Sequence, residues 1–198
     1  MTKKSKIVVL KFGSSVLRTE DDLPSAVHEI YRWWRDGAQV IAVVSAFGDT
    51  TDQLMRRAEK VCDQPDKSVL PSLLATGEAT ASALLTLTLN KVGISARLVD
   101  EVQAKLRTVS GNVDAIPVSL DAAYLSGESQ RAVVVFPGFI GRDERGNRTI
   151  LGRGGSDMTA LFLAHQLKAH CVLMSRISIC DTLLLDILPG SVPSRCTN

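Results

Sequence analysis

The chain has 198 residues, 45% of them hydrophobic and 22% charged, which describes a globular protein with one sizeable core and excludes a disordered one. Its 23 basic and 21 acidic residues leave a net charge of +2, so no bulk field points to nucleic acid or to an anionic membrane surface. The four cysteines (Cys62, Cys171, Cys180 and Cys196) lack CxxC and zinc spacing, the apolar run after the basic start stops at Lys11, and no uninterrupted apolar stretch approaches a membrane span, so a cytoplasmic protein with reduced thiols is expected.

Ile7 to Leu10 is a short, all-apolar, β-branched run, the pattern of a strand buried on both faces. Asp21 to Trp34 places Leu23, Val27, Ile30, Tyr31 and Trp34 at helical spacing, with Gly37 as a C-terminal stop. Val40 to Val44 reads as a second buried strand, and Thr51 to Val61 as a helix through Leu54, Ala58 and Val61. Pro71 to Lys91 is a longer Leu- and Ala-rich helix that ends at Gly93. Ala96 to Val99 and Val133 to Phe136 are strands, Arg142 to Asn147 is an exposed hairpin turn, and Ser156 to Ala169 is a helix with Ser156 as its N-cap. Cys171 to Met174 is one more strand.

Short buried strands alternating with helices predict an α/β fold, a three-layer αβα sandwich around a mostly parallel sheet. Ligands of such sheets bind beyond the carboxyl ends of the strands. The polar turns fall there: Lys11 to Ser15 after the first strand, Ser45 to Thr51 after the second, and Pro137 to Phe139 after Val133 to Phe136. From Cys171 onward the pattern changes. Three of the four cysteines lie there, charges thin out, and Pro189, Gly190 and Pro193 end all regularity.

Several residues carry chemistry. Gly13, Ser14 and Ser15 offer backbone N–H groups to anionic oxygens, with Lys11 beside them, although a lysine and glycine after a strand also describe an ordinary surface turn. The hydroxyls of Ser45 to Asp52 suit a small polar ligand, and equally Thr50 or Thr51 can cap the next helix. Glu78, inside an apolar helix, must face solvent or hold a cationic ligand group, because an unpaired buried carboxylate is costly. The strongest signal is Arg153-Gly154-Gly155-Ser156-Asp157: a guanidinium fork that matches a carboxylate, glycines that admit close approach, and a helix N-terminus. A glycine-rich loop with a salt bridge is the plainer reading of the same residues. His28, His165 and His170 share no spacing and read as solvated or core-edge side chains rather than ligands or bases.

Taken in order, these turns resemble the amino-acid kinase family, and its aspartate kinase branch in particular. The matching pieces are Val8 to Ser15 (VVLKFGSS), Val43 to Leu54 (VVSAFGDTTDQL), Thr76 to Glu78 (TGE), Gly138 to Gly141 (GFIG) and Thr149 to Ala160 (TILGRGGSDMTA). The resemblance covers about residues 6 to 174 and implies the carbamate-kinase-like sandwich. It implies that Lys11 contacts the transferring phosphoryl group and that Asp157 organises that lysine. Gly13, Ser14 and Ser15 would then lie at the phosphates. Ser45, Thr51, Glu78, Phe139, Arg153, Gly154 and Ser156 would hold the amino acid, with Arg153 on its α-carboxylate. The implied reaction is ATP plus aspartate giving 4-phosphoaspartate, with magnesium on the nucleotide, no protein-bound metal, and a homo-oligomer as a possible assembly.

Two departures qualify the match. Ser14 stands where aspartate kinases usually carry a second glycine, as in the related glutamate 5-kinases, so glutamate is the alternative substrate. After the strand ending at Met174 the family continues with D-V-D-G and a tyrosine of the nucleotide site, whereas this chain reads Ser175-Arg176-Ile177-Ser178-Ile179-Cys180. Residues 1–174 therefore read as the amino-acid part of a kinase domain and 175–198 as an atypical tail, a pattern expected of truncation or frameshift near Ser175. A kinase-derived fragment that binds an amino acid or a partner chain without turnover is the other functional reading.

Overall fold

The computed structural model of the chain describes residues 6–109 and 111–174. In chain order it holds β1 (Ile7–Phe12), a 3-10 turn (Glu20–Asp22), α1 (Leu23–Arg35), β2 (Gln39–Val44), α2 (Thr50–Val61), α3 (Leu70–Lys91), β3 (Ala96–Leu98), β4 (Arg107–Val109), β5 (Ile116–Ser119), α4 (Ala122–Ser129), β6 (Val133–Pro137), β7 (Ile140–Arg142), β8 (Arg148–Ile150), α5 (Gly155–Leu167) and β9 (His170–Met174). The tail from Ser175 lies outside the described residues.

The central sheet has five strands in the order β3-β6-β2-β1-β9, and every pairing is parallel. Alternation along each strand sorts its side chains into two cores. Val8, Leu10 and Phe12 of β1 face one side with Val40, Ala42 and Val44 of β2, against α1 and α3. Val9, Ile41, Val43, Val134 and Phe136 face the other, against Leu125 of α4 and Ala160 and Leu163 of α5. Both faces are therefore covered, which is why the strands read as continuous apolar runs. The expected αβα sandwich is present.

Among the described helices α3 alone has the length and hydropathy to cross a membrane. One face of it lies inside the protein, with Ala81, Leu85 and Leu89 in the core against the sheet, while Leu87 is exposed. Thr51 to Val61 is helical as read, but its stripe is narrower. Leu54 is buried, whereas Val61 is exposed.

A second sheet has the order β5-β4-β7-β8, and of it only the Arg142 to Asn147 hairpin turn is expected from the sequence. After β4 and β5 the chain returns to this sheet from β6 through Gly138 and Phe139, and β7 and β8 form the antiparallel hairpin whose turn is the charged Arg142 to Asn147 loop. Glu101, buried after β3, accepts from Arg142 Nε and Arg148 Nε at 3.2 Å each and anchors that hairpin. Ile150 then packs with Leu54 of α2 and Leu74 of α3, with Phe139 against them.

Candidate active site

In a parallel sheet all carboxyl ends lie at one edge, and a cleft of about 590 Å³ opens there. Lys11 comes from the end of β1, Ser45 from the residue after β2, and Phe139 from the passage after β6. The remaining walls are the start of α2, Glu78 of α3, and the Gly152 to Asp157 turn into α5. Every residue singled out from the sequence as a site candidate lines this one cleft: Lys11, Gly13, Ser14, Ser15, Ser45, Thr51, Glu78, Phe139, Arg153, Gly154, Ser156 and Asp157.

The Lys11 ammonium lies 2.6 Å from Asp157 Oδ1, with the lysine mostly shielded and the aspartate half exposed. It folds back over Gly13, where an added methyl would stand 2.7 Å from Nζ. The Gly13 carbonyl accepts from both Val16 N–H and Leu17 N–H at 2.9 Å, which curls Ser14 and Ser15 outward into the cleft. A cation is thus fixed beside a turn of exposed backbone and hydroxyl groups.

The helix after Arg153 begins differently from the expectation. Its N-cap is Gly154 in the left-handed region (φ 76°), so glycine is favoured there, and Ser156 lies inside the first turn. The Ser156 hydroxyl caps nothing; it donates to Glu78 Oε1 at 2.9 Å. Nor do Thr50 or Thr51 cap α2, whose N-cap is Asp49 without a side-chain cap bond. Ser45 and Thr51 are half-buried in the cleft wall and Arg153 is exposed at the rim. Arg153 has neither ion pair nor hydrogen bond with any described residue.

Glu78 follows neither alternative posed for it. It is 2% exposed, and protein groups satisfy it: Oε2 accepts from the Phe139 N–H and Oε1 from Ser156. Burial pushes its pKa up to about 8, against the opposing pull of the Ser156 hydroxyl, the Phe139 N–H and the Lys11 charge. One side chain of α3 thereby ties the β6–β7 passage to α5. The approach of these parts is close enough to require glycine at 138, where a Cβ would lie 2.7 Å from Ser156 Cβ and 2.8 Å from Val43 Cγ1. Thr159 adds a hydroxyl bond to the Gly138 carbonyl.

The cleft also contains residues that the sequence did not single out, among them Met55, Val113, Asp114 and Ile150. Val113, Asp114 and Ile150 come in with the second sheet, whereas Met55 lies on α2, one residue past the Val43 to Leu54 block. His28 is buried and away from the cleft, and His165 and His170 are exposed.

The sandwich and the cleft define an α/β protein that sets a shielded lysine and a helix N-terminus beside an unpaired arginine, an arrangement suited to two anionic groups at once. The chain belongs to the amino acid kinase family, whose model matches residues 6–179. It is 36% identical to aspartokinase 2 of Bacillus subtilis (strain 168) over 164 residues, 82% of this chain and 40% of that protein. The aspartokinase of Geobacillus stearothermophilus is 35% identical over 83% of this chain and 40% of its own length. The crystal structure of aspartate kinase from Synechocystis superposes with a TM-score of 0.70 at 30% identity, covering 84% of this chain and 27% of that one. E. coli aspartokinase III in complex with lysine and aspartate shares the fold, with a TM-score of 0.73 at 23% identity over 85% of this chain and 49% of that chain. The chain spans about 40% of the length of the curated relatives it matches.

Proposed function

We propose that this chain carries the amino-acid and phosphoryl end of an aspartate kinase, transferring the γ-phosphoryl of ATP to the side-chain carboxylate of aspartate in the cytoplasm. The observation that carries the reading is the Lys11–Asp157 pair at 2.6 Å in the same cleft as the unpaired Arg153. Arg153 holds the substrate α-carboxylate bidentately. Ser45, Thr51, Ser156 and the Gly154 turn line its bed, and Glu78 holds Ser156 and the Phe139 amide in place. Lys11 meets the transferring phosphoryl group, with Asp157 orienting the ammonium and Gly13, Ser14 and Ser15 at the phosphates. Magnesium travels on the nucleotide and supplies further charge neutralisation.

The chemistry asks little else of the protein. A side-chain carboxylate with a pKa of about 4 is already ionised at neutral pH, so no general base is needed. Its oxygen forms a bond to the γ-phosphorus as the β,γ-bridging P–O bond breaks and ADP leaves. Positioning and charge neutralisation dominate such a step, and Lys11 and Arg153 provide both.

A second reading is that the chain binds aspartate without turnover, since after Met174 it reads Ser175-Arg176-Ile177-Ser178-Ile179-Cys180 where the family carries D-V-D-G. Hydroxylamine capture separates the two. ATP-dependent hydroxamate formed faster with aspartate than with glutamate supports the kinase reading. Thermal stabilisation by aspartate without hydroxamate selects the second, and neither effect refutes both.

A further inference from the structure

Between β6 of the central sheet and β7 of the second, the peptide unit joining Gly138 to Phe139 belongs to neither strand. The backbone on either side of it is held by backbone. Gly138 N–H donates to the Val44 carbonyl at 2.9 Å, and the Phe139 carbonyl accepts from Leu151 N–H at 3.0 Å. The unit itself is held by two side chains from two helices. Its N–H donates to Glu78 Oε2 of α3, and its carbonyl accepts from the Thr159 hydroxyl of α5. Because a peptide is planar, fixing both of its polar ends fixes its tilt.

Thr159 departs from the pattern of the threonines in α3. Thr80, Thr86 and Thr88 each return the hydroxyl to the carbonyl four residues earlier, at 2.8, 2.8 and 2.7 Å. Thr159 is fully buried and reaches out of its helix instead. What it holds faces the cleft. Phe139 lines the cleft, and its ring lies over Gly155 at the start of α5, where an added Cβ would stand 2.8 Å from Phe139 Cδ2. A turn of the 138–139 unit would move that ring.

We propose that Thr159 is a positioning residue of the cleft, its hydroxyl fixing the tilt of the Gly138–Phe139 peptide and thereby the wall that Phe139 forms. The assignment rests on the reading of the cleft as an amino-acid site. Thr159 itself does not line the cleft and acts through the peptide.

The test is calorimetric titration of the full chain with aspartate, beside thermal melts of the same samples, for the unmodified protein, Thr159→Val, Thr159→Ser and Thr159→Ala. Thr159→Ser and Thr159→Ala both lose the methyl and differ from each other in the hydroxyl alone, whereas Thr159→Val keeps the volume without the hydroxyl. Aspartate binding should weaken about tenfold in Thr159→Val and Thr159→Ala, as the share of chains with the peptide in place falls, and stay within about twofold in Thr159→Ser. The melting temperature should drop in all three, because each alters a fully buried side chain. Unchanged affinity in the variants without the hydroxyl overturns the assignment. So does affinity lost in Thr159→Ser as much as in Thr159→Ala, or failure of both hydroxyl-free variants to fold, since either marks Thr159 as packing alone. If only Thr159→Val does not fold, the comparison of Thr159→Ser with Thr159→Ala decides. No aspartate binding by the unmodified chain overturns the amino-acid reading and this assignment together.

Discussion

Lys11 at the end of β1 and Asp157 in the first turn of α5 meet at 2.6 Å, 146 residues apart in sequence (157 − 11 = 146), across the mouth of the cleft. Half of the Asp157 side chain is exposed, so the pair contributes at most about 1 kcal/mol to the fold. Its consequence lies in where the ammonium is held. Lys11→Ala should leave the melting temperature within a few degrees and lower phosphoryl transfer about 100-fold or more, the scale of losing one preorganised charge partner. Asp157→Asn should lower it by less, because the cation remains but is no longer aimed. Steady-state rates of the two variants, measured beside their thermal melts, check both statements. A large stability loss with normal rates would show the pair to be structural.

Glu78 gives the protein a pH-dependent stability. In the folded chain its carboxyl holds a proton up to about pH 8, whereas the ordinary value is 4.5. Folding therefore takes up a proton between those values. The contribution is fully present below about pH 4.5 and is lost as pH rises through about 8. Glu78→Gln preserves the shape and an acceptor for the Phe139 N–H, and it removes the titration. The stability difference between the parent chain and Glu78→Gln should decline by roughly 1.4 kcal/mol per pH unit inside that window. Parallel urea-unfolding curves from pH 5 to 8 would contradict the assignment.

Gly138 sits where β6, α5 and the second sheet converge. A methyl group there must push into Ser156 Cβ at 2.7 Å and Val43 Cγ1 at 2.8 Å, both held by packed elements. Gly138→Ala should cost about 1–3 kcal/mol, the usual price of overpacking, and should loosen the Glu78–Ser156 bond as well. Chemical denaturation measures the first effect. A substitution without cost would mean that α5 moves away freely.

Arg153→Ala should abolish aspartate binding with little change in stability, because the side chain is exposed and forms no bond with any described residue. Arg153→Lys should recover only part of the affinity, since an ammonium cannot reproduce the planar fork on a carboxylate. Calorimetry on the three chains reads both. Unchanged affinity in Arg153→Ala would remove Arg153 from the site.

The sequence displays the central sheet plainly because β1, β2 and β6 are buried on both faces, and a continuous run of Val, Ile and Leu has few other uses. The turns after β1, β2 and β6 are legible for the same reason, while the Arg153 to Asp157 turn is legible from its own glycines and charges. Of the second sheet only the Arg142 to Asn147 turn is legible. β4, β7 and β8 are three residues long, and the partners that hold them, such as Thr108 and Thr149 with hydroxyls 2.7 Å apart, are distant in sequence. Asp114 is hidden with that sheet. The burial of Glu78 and the diversion of Ser156 from capping to a hydrogen bond with Glu78 follow from the meeting of α3 with α5, which no local pattern on either helix announces.

The most direct measurement is ATP-dependent hydroxamate formation by the purified chain, with aspartate and glutamate compared side by side and Lys11→Ala as the control. Hydroxamate should form with aspartate, less with glutamate, and almost none when Lys11 is replaced. Hydroxamate that forms equally well without Lys11, or no hydroxamate together with no aspartate binding, would contradict the proposed function.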